Sequence, residues 1–241
     1  MYQVKRHSTS HFVPLRGHHY HVREWGNPQS SLPPVVLAHG WMDVAASWQF
    51  MVESLTETFF NNRRILAADW RGYGLTTGPA TDSYWLPDYL GDLDALLRQL
   101  CPDQPIDLVG HSMGGMVALQ AWTHCPERIE GLVIAASSPA FGQQDGDFQQ
   151  QFVAQRLAPL NAGKTMAQVA DRLVPSMVAP QALPVGAMLP DYPPGLALAH
   201  ACMSAVPPNT YRASLQALVT FEQRAALPGI SVPTLCLAGG Y

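Results

Sequence analysis

Four short runs of nearly unbroken apolar residues, PVVLAH (34–39), RILAAD (64–69), IDLVG (106–110) and GLVIAAS (131–137), limit this chain more than any other feature. A strand with one face in water alternates polar and apolar residues. A run without that alternation is buried on both faces. Helical patterns lie between the runs. Residues 47–55 place Trp48, Met51, Val52 and Leu55 on one face, and 86–100 carry Leu90, Leu93, Leu97 and Leu100 behind Pro87 in the first turn. A third pattern, 113–124, is stopped by Pro126. Strand and helix alternating in this way predict an α/β fold: a mostly parallel sheet with helices on both faces. Upstream, HFVPL (11–15) and HHYHVREW (18–25) flank Arg16-Gly17 and predict a hairpin.

The 241 residues suit one domain with a sizeable insertion. Charged residues are 13% and apolar ones 47%, the reverse of what a disordered chain needs. Fourteen Lys plus Arg against eighteen Asp plus Glu leave a net charge of −4, so no nucleic-acid partner is expected. No run approaches a membrane span and no signal peptide is visible; the expectation is a cytoplasmic protein with no membrane partner. Cys101, Cys125, Cys202 and Cys236 lie far apart and predict reduced thiols, neither a disulfide framework nor a zinc site.

From 139 to 208 the texture changes: ten of the 21 prolines and only seven charged residues fall there. Two helices are expected, 147–157 and 165–174, the second opened by a capping box from Thr165 to Gln168. The stretch reads as a helical cap, 139–208, inserted in a core made of 1–138 and 209–241. The core resumes with a helix over 209–226 and a buried strand in VPTLCLAGG (232–240).

The chemistry centres on Gly110-His111-Ser112-Met113-Gly114, set where a buried strand ends and an apolar helix begins. At so sharp a bend the serine takes a strained conformation and lifts its hydroxyl off the sheet, while strand and helix nearly touch at positions 110 and 114. Ser112 is therefore the candidate nucleophile, and the Met113 N–H at the helix start a candidate oxyanion donor. His39-Gly40-Trp41, at the end of the earlier strand, suggests the Trp41 N–H as the second donor, with His39 packed in that loop.

Weaker patterns carry bland readings. Gly163-Lys164-Thr165 has no strand before it, and Thr165 serves as a helix cap. His19 and His21 share a strand face without a third ligand, so no metal and no other cofactor is expected. Trp41, Trp48, Trp70, Trp85 and Phe141 read mostly as core, with about two of them facing a pocket. Met166, Met177, Met188 and Met203 suit a deformable apolar lid.

HGWMD (39–43), DWRGYG (69–74), GHSMGG (110–115), PERIEGLVI (126–134) and VPTLCLAG (232–239) together resemble the α/β-hydrolase family, within it the capped serine hydrolases of the serine hydrolase-like subgroup. The resemblance covers about 1–138 and 209–241. It implies hydrolysis of a carboxylic ester or related acyl compound through an acyl-serine on Ser112, without metal or cofactor. The charge-poor cap suggests a small apolar ester-like substrate. Asp69 and Arg71 are expected to pair with each other structurally. The family's catalytic acid and histidine would follow 232–238, where the chain reads Ala238-Gly239-Gly240-Tyr241; both are expected to be missing by C-terminal truncation, with the last strand and closing helix. Ser137 and Ser138 stand at the alternative site for the acid and are not acidic. Among nine histidines, only His200 in the cap is placed to stand in as base. The alternatives to an esterase are a non-catalytic protein that holds a small ligand in the same pocket, or an inert fragment.

Overall fold

The computed structural model describes residues 2–80, 82–142, 146–179, 181, 183 and 187–239. Seven strands form one sheet: β1 (Thr9–Leu15), β2 (His18–Gly26), β3 (Val35–Ala38), β4 (Arg64–Ala68), β5 (Ile106–His111), β6 (Ile129–Ala135) and β7 (Thr234–Leu237), in the order β1-β2-β4-β3-β5-β6-β7. The hairpin β1–β2 is antiparallel, β2 runs antiparallel to β4, and the pairings among β3 to β7 are all parallel. Arg16 and Gly17 both take positive φ, 48° and 82°, the turn whose twist matches a two-residue hairpin. Pro14 is tolerated because β1 is an edge strand.

The unbroken apolar runs have a direct cause. Val36, Ala38, Leu66 and Leu108 face one core, where α3 (Leu86–Leu100) and α4 (Met113–His124) pack. Val35, Leu37, Ile65 and Ala67 face a second core closed by Ala45 and by Val52 of α1 (Gln49–Ser54). A short α2 (Glu57–Asn62) follows, capped by Thr56, whose hydroxyl accepts from the Phe59 N–H.

Between β6 and β7 the described residues form helices and no strand: α5 (Asp147–Asn161), α6 (Met166–Leu173), α7 (Pro194–Ala205) and α8 (Pro208–Val219). The Thr165–Gln168 capping box is present in both directions. Two expectations need correction. The helix expected over 209–226 ends at Val219, and Glu222 bridges back to Ala140. The β7 strand is exposed rather than buried: all four of its residues face solvent, with Leu235 52% and Leu237 51% accessible. The expected cap, 139–208, includes 143–145, 180, 182 and 184–186, and the expected chain end includes 240 and 241; all of these lie outside the described residues.

Candidate active site

The bend at Ser112 begins with tight packing. A Cβ on Gly114 would lie 2.0 Å from the Ala38 carbonyl oxygen, and one on Gly110 would lie 2.4 Å from the Gly114 oxygen. Only glycine lets the first turn of α4 rest against the ends of β3 and β5. Ser112 takes φ 51° and ψ −117°, a conformation a serine adopts only at a cost of about 1–3 kcal/mol. Its backbone is held on both sides. The Ser112 N–H donates to the Ala135 carbonyl at 2.9 Å, and its own carbonyl accepts from Ser137 Oγ at 2.7 Å. Ser137 thus props the bend, a role its position after β6 did not announce.

The histidine–glycine–tryptophan turn is brought against this bend. A Cβ on Gly40 would lie 3.2 Å from the Ser112 Cβ and 3.0 Å from His111 Nδ1. Among the described residues, neither the Trp41 nor the Met113 backbone N–H meets an acceptor, and Ser112 Oγ makes no hydrogen bond. Trp41 is anchored by its ring, which donates from Nε1 to Ser214 Oγ at 2.9 Å and stacks on Tyr211 at 4.7 Å. Ser112, Trp41, Asp43 and His111 line a cavity of about 620 Å³, whose remaining wall is apolar and includes Met177, Leu196, Ala199 and Met203.

His39 is fully buried and uses both ring nitrogens. The Trp70 N–H donates to Nε2 at 3.0 Å, so the proton sits on Nδ1 and is donated to the Gly40 carbonyl at 2.8 Å. Burial pushes this imidazole below its usual range; the neighbouring carboxylates of Asp43 and Asp69 pull less strongly the other way. Folding therefore holds His39 neutral, whereas an unfolded histidine gains a proton below about pH 6.5. Stability from this residue is complete above that pH and is lost as pH falls below it, at about 1.4 kcal/mol per pH unit. Urea unfolding between about pH 5 and pH 7.5 is expected to show this slope, and His39→Gln to flatten it by close to one proton.

Other expectations are redrawn. Asp69 and Arg71 do not pair with each other. Asp69 accepts from His21 Nδ1 at 2.8 Å and from the N–H groups of Leu75 and Ala45. Burial alone would raise its carboxyl, but these hydrogen bonds hold it below the usual range. Arg71 instead grips Asp92 through Nε and Nη2 at 2.6 and 2.7 Å. His200 is tied to Asp171 at 2.8 Å and does not line the cavity, although Leu196, Ala199 and Met203 on the same helix do. His111, next to Ser112 in the chain, is a lining residue. Of the five aromatic residues considered, Trp41 alone lines the cavity; Trp70 is core, Trp85 is half exposed, and Phe141 packs on Phe148 and Phe152. Of the four methionines, Met177 and Met203 line it. Among the described residues no three His, Cys, Asp or Glu side chains are grouped to hold a metal ion, and no helix is long and apolar enough to cross a membrane.

Comparison with known proteins points the same way as the fold. Over 177 residues the chain is 32% identical to the pimeloyl-[acyl-carrier protein] methyl ester esterase of Pectobacterium carotovorum subsp. carotovorum (strain PC1), a span of 66% of this chain and 65% of that protein. The protein of the same name from Salmonella newport (strain SL254) is 30% identical over 223 residues, 85% of this chain and 74% of its own length. Among solved structures, a hydrolase from Pseudomonas aeruginosa PA01 superposes with a TM-score of 0.79 at 25% identity, covering 96% of this chain and 80% of that one. The enol-lactonase of Burkholderia xenovorans LB400 shares the fold with a TM-score of 0.77 at 21% identity, over 95% of this chain and 81% of its own. The family model described as alpha/beta hydrolase fold matches residues 33–241, and the chain belongs to that family.

Proposed function

We propose that this chain hydrolyses carboxylic esters through Ser112, with the backbone N–H groups of Trp41 and Met113 as its oxyanion hole. The observation that supports the reading is how closely the turn carrying Trp41 approaches the strained serine: a Cβ on Gly40 would lie 3.2 Å from the Ser112 Cβ, at the wall of a cavity, and neither the Trp41 nor the Met113 N–H meets an acceptor among the described residues. The Ser112 hydroxyl attacks the ester carbonyl, the oxyanion settles between the two N–H groups, and the alcohol leaves to give an acyl-serine. Water then releases the acid. The helical segment 139–208 acts as a cap, since its Met177 and Met203 supply part of the cavity wall. An apolar wall suits an aliphatic acyl chain. The relatives named as pimeloyl-[acyl-carrier protein] methyl ester esterases are esterases too, by name acting on a methyl ester.

Among the described residues no imidazole is hydrogen-bonded to Ser112 Oγ, so solvent takes the proton and acylation is slow. The same observation favours a second reading, a pocket that holds an apolar ligand without turning it over. Fluorophosphonate labelling with peptide mapping separates the two. Modification at Ser112 that disappears in Ser112→Ala, with slow p-nitrophenyl acetate release lost in the same variant, supports the esterase. An unlabelled Ser112 with saturable ligand binding, equal in both proteins, supports the binding protein and ends the esterase reading.

A further inference from the structure

We propose a second nucleophilic serine centre, Ser10–His21–Asp69, on the N-terminal hairpin, which takes the acyl group of activated esters independently of Ser112. Ser10 lies on edge strand β1 and is exposed. Its Oγ is 3.0 Å from His21 Nε2, and His21 Nδ1 is 2.8 Å from Asp69 Oδ2. His21 itself is 2% exposed, so its ring is fixed by packing rather than free to swing away. An ionised carboxylate only accepts, so the ring proton sits on Nδ1. A neutral imidazole then presents a bare Nε2 to the serine hydroxyl. Acid, oriented imidazole and hydroxyl stand in the order that activates a serine. Asp69 is held ionised by two further backbone donors, those of Leu75 and Ala45.

The surroundings supply what a charged intermediate needs. Arg23 is the cross-strand partner of Ser10, so the two side chains share a face of the hairpin. Its Nη1 donates to Ser8 Oγ at 3.0 Å, and its Nε is buried without a hydrogen-bond partner among the described residues. That guanidinium, on the residue paired with Ser10, is the candidate oxyanion contact once its buried Nε turns outward to the incoming ester. His21, Arg23 and Asp69 also line a groove of about 750 Å³ bounded by Gly72, Tyr84, Cys202 and Asn209, which shares no lining residue with the cavity of Ser112. Helix α7 divides the two spaces: Ala199 and Met203 face one, Ala201 and Cys202 the other. A comparable serine–histidine–aspartate set in that helical segment fails on geometry. Ser204 Oγ lies 3.5 Å from His200 Nδ1 and gives its proton to the His200 carbonyl at 2.7 Å.

In the first step the Ser10 Oγ–carbonyl bond forms while the hydroxyl proton passes to His21 Nε2. The bond from the carbonyl carbon to the leaving oxygen then breaks, releasing an aryl oxide such as p-nitrophenolate and leaving O-acyl-Ser10. The imidazolium passes that proton to solvent; water then adds, giving a proton to the bared Nε2, which hands it to Ser10 Oγ as the acyl–oxygen bond breaks and the acid is freed. Without a strained bend, the centre is restricted to activated small acyl esters and, by the same attack, to phosphonofluoridates that lose fluoride.

The test uses the full chain carrying Ser112→Ala, so the Ser112 site is silent. With a fluorophosphonate probe, mapping is expected to find the label on Ser10 and not on the neighbouring, half-buried Ser8. The labelling rate is expected to rise with pH through the titration of one group and then level. Adding His21→Gln is expected to lower the rate on the order of 100-fold, and unfolding in urea to abolish the Ser10 preference. No label on Ser10, a rate that climbs with hydroxide without levelling, or equal labelling of Ser8 would overturn the proposal. His21→Gln is buried, so the pH profile of the otherwise unaltered chain decides if that variant fails to fold. Label on Ser112 in the parent chain reports separately on the proposed esterase site.

Discussion

Asp92→Ala is expected to lower the unfolding free energy by about 3–5 kcal/mol, a large share of the roughly 5–15 kcal/mol a typical domain has to lose. Asp92 is completely buried on α3 and is met by partners from three directions, two of them charged. Arg71 meets it through two parallel N–H groups at 2.6 and 2.7 Å, Arg16 reaches it from the hairpin turn at 2.9 Å, and the Tyr20 hydroxyl donates to it. Burial, then the Asp92 charge, push the Tyr20 phenol far up, so it stays a donor throughout the neutral range. Arg71 is itself 4% exposed and also holds Asp82 at 3.2 Å and the Ser83 carbonyl at 3.0 Å. Removing the carboxylate leaves a guanidinium in the interior without its main counter-charge, and that desolvated charge is the larger part of the loss. Urea unfolding of Asp92→Ala checks the size. The double variant Arg71→Met, Asp92→Leu is expected to lose clearly less than Asp92→Ala, because the buried charge goes with its partner. Asp94→Ala, which removes the exposed helical pair Asp94–Arg98, is expected to leave the midpoint unmoved.

That network marks where sequence reading stops. The central strands were legible because both of their faces are covered, which removes the polar residues that would otherwise interrupt them: Val35 and Leu37 enter one core, Val36 and Ala38 the other. Helix α3 was legible because one of its faces is wet and its period shows. Helix α7 (PGLALAHACMSA) was not, since apolar residues surround it and no period emerges. The partners of Asp69 and Arg71 were out of reach for another reason. His21 lies 48 residues from Asp69 and Asp92 lies 21 from Arg71, so their meeting depends on how β2 and α3 dock against the loop after β4. At the candidate site, the short-range part, glycine spacing around Ser112, was readable, because two backbones in contact admit no other residue. The long-range part, Ser137 beneath the Ser112 carbonyl and Ser10 beside His21, leaves no local trace in the chain.

Gly114→Ala is expected to be the most damaging single-atom change at the candidate site. The added Cβ would lie 2.0 Å from the Ala38 carbonyl oxygen, 2.5 Å from the Ala38 carbonyl carbon and 2.8 Å from the His39 oxygen. All three belong to backbone, so no side chain can turn aside to make room. Ala38 is paired to Gly110 in the sheet, and β3 is held by neighbours on both sides. The first turn of α4 must therefore move outward by about 1 Å or more, carrying the Met113 N–H away from the Trp41 N–H. Forced overpacking of this kind costs about 3 kcal/mol. A 1 Å error in the placement of reacting groups costs on the order of 100-fold in rate. Gly115→Ala, one residue along, meets the Ser137 Cβ and Oγ at 2.6 Å and the Gly110 carbonyl oxygen only at 3.3 Å, so a shift of Ser137, at some cost to its bond to the Ser112 carbonyl, relieves most of it. The expected order is thus parent, then Gly115→Ala, then Gly114→Ala, both in urea midpoint and in the rate of fluorophosphonate labelling at Ser112. A Gly114→Ala protein that unfolds at the parent's urea concentration and labels at its rate would mean that strand and helix do not touch at this bend, and the oxyanion geometry proposed for Trp41 and Met113 would fall with it.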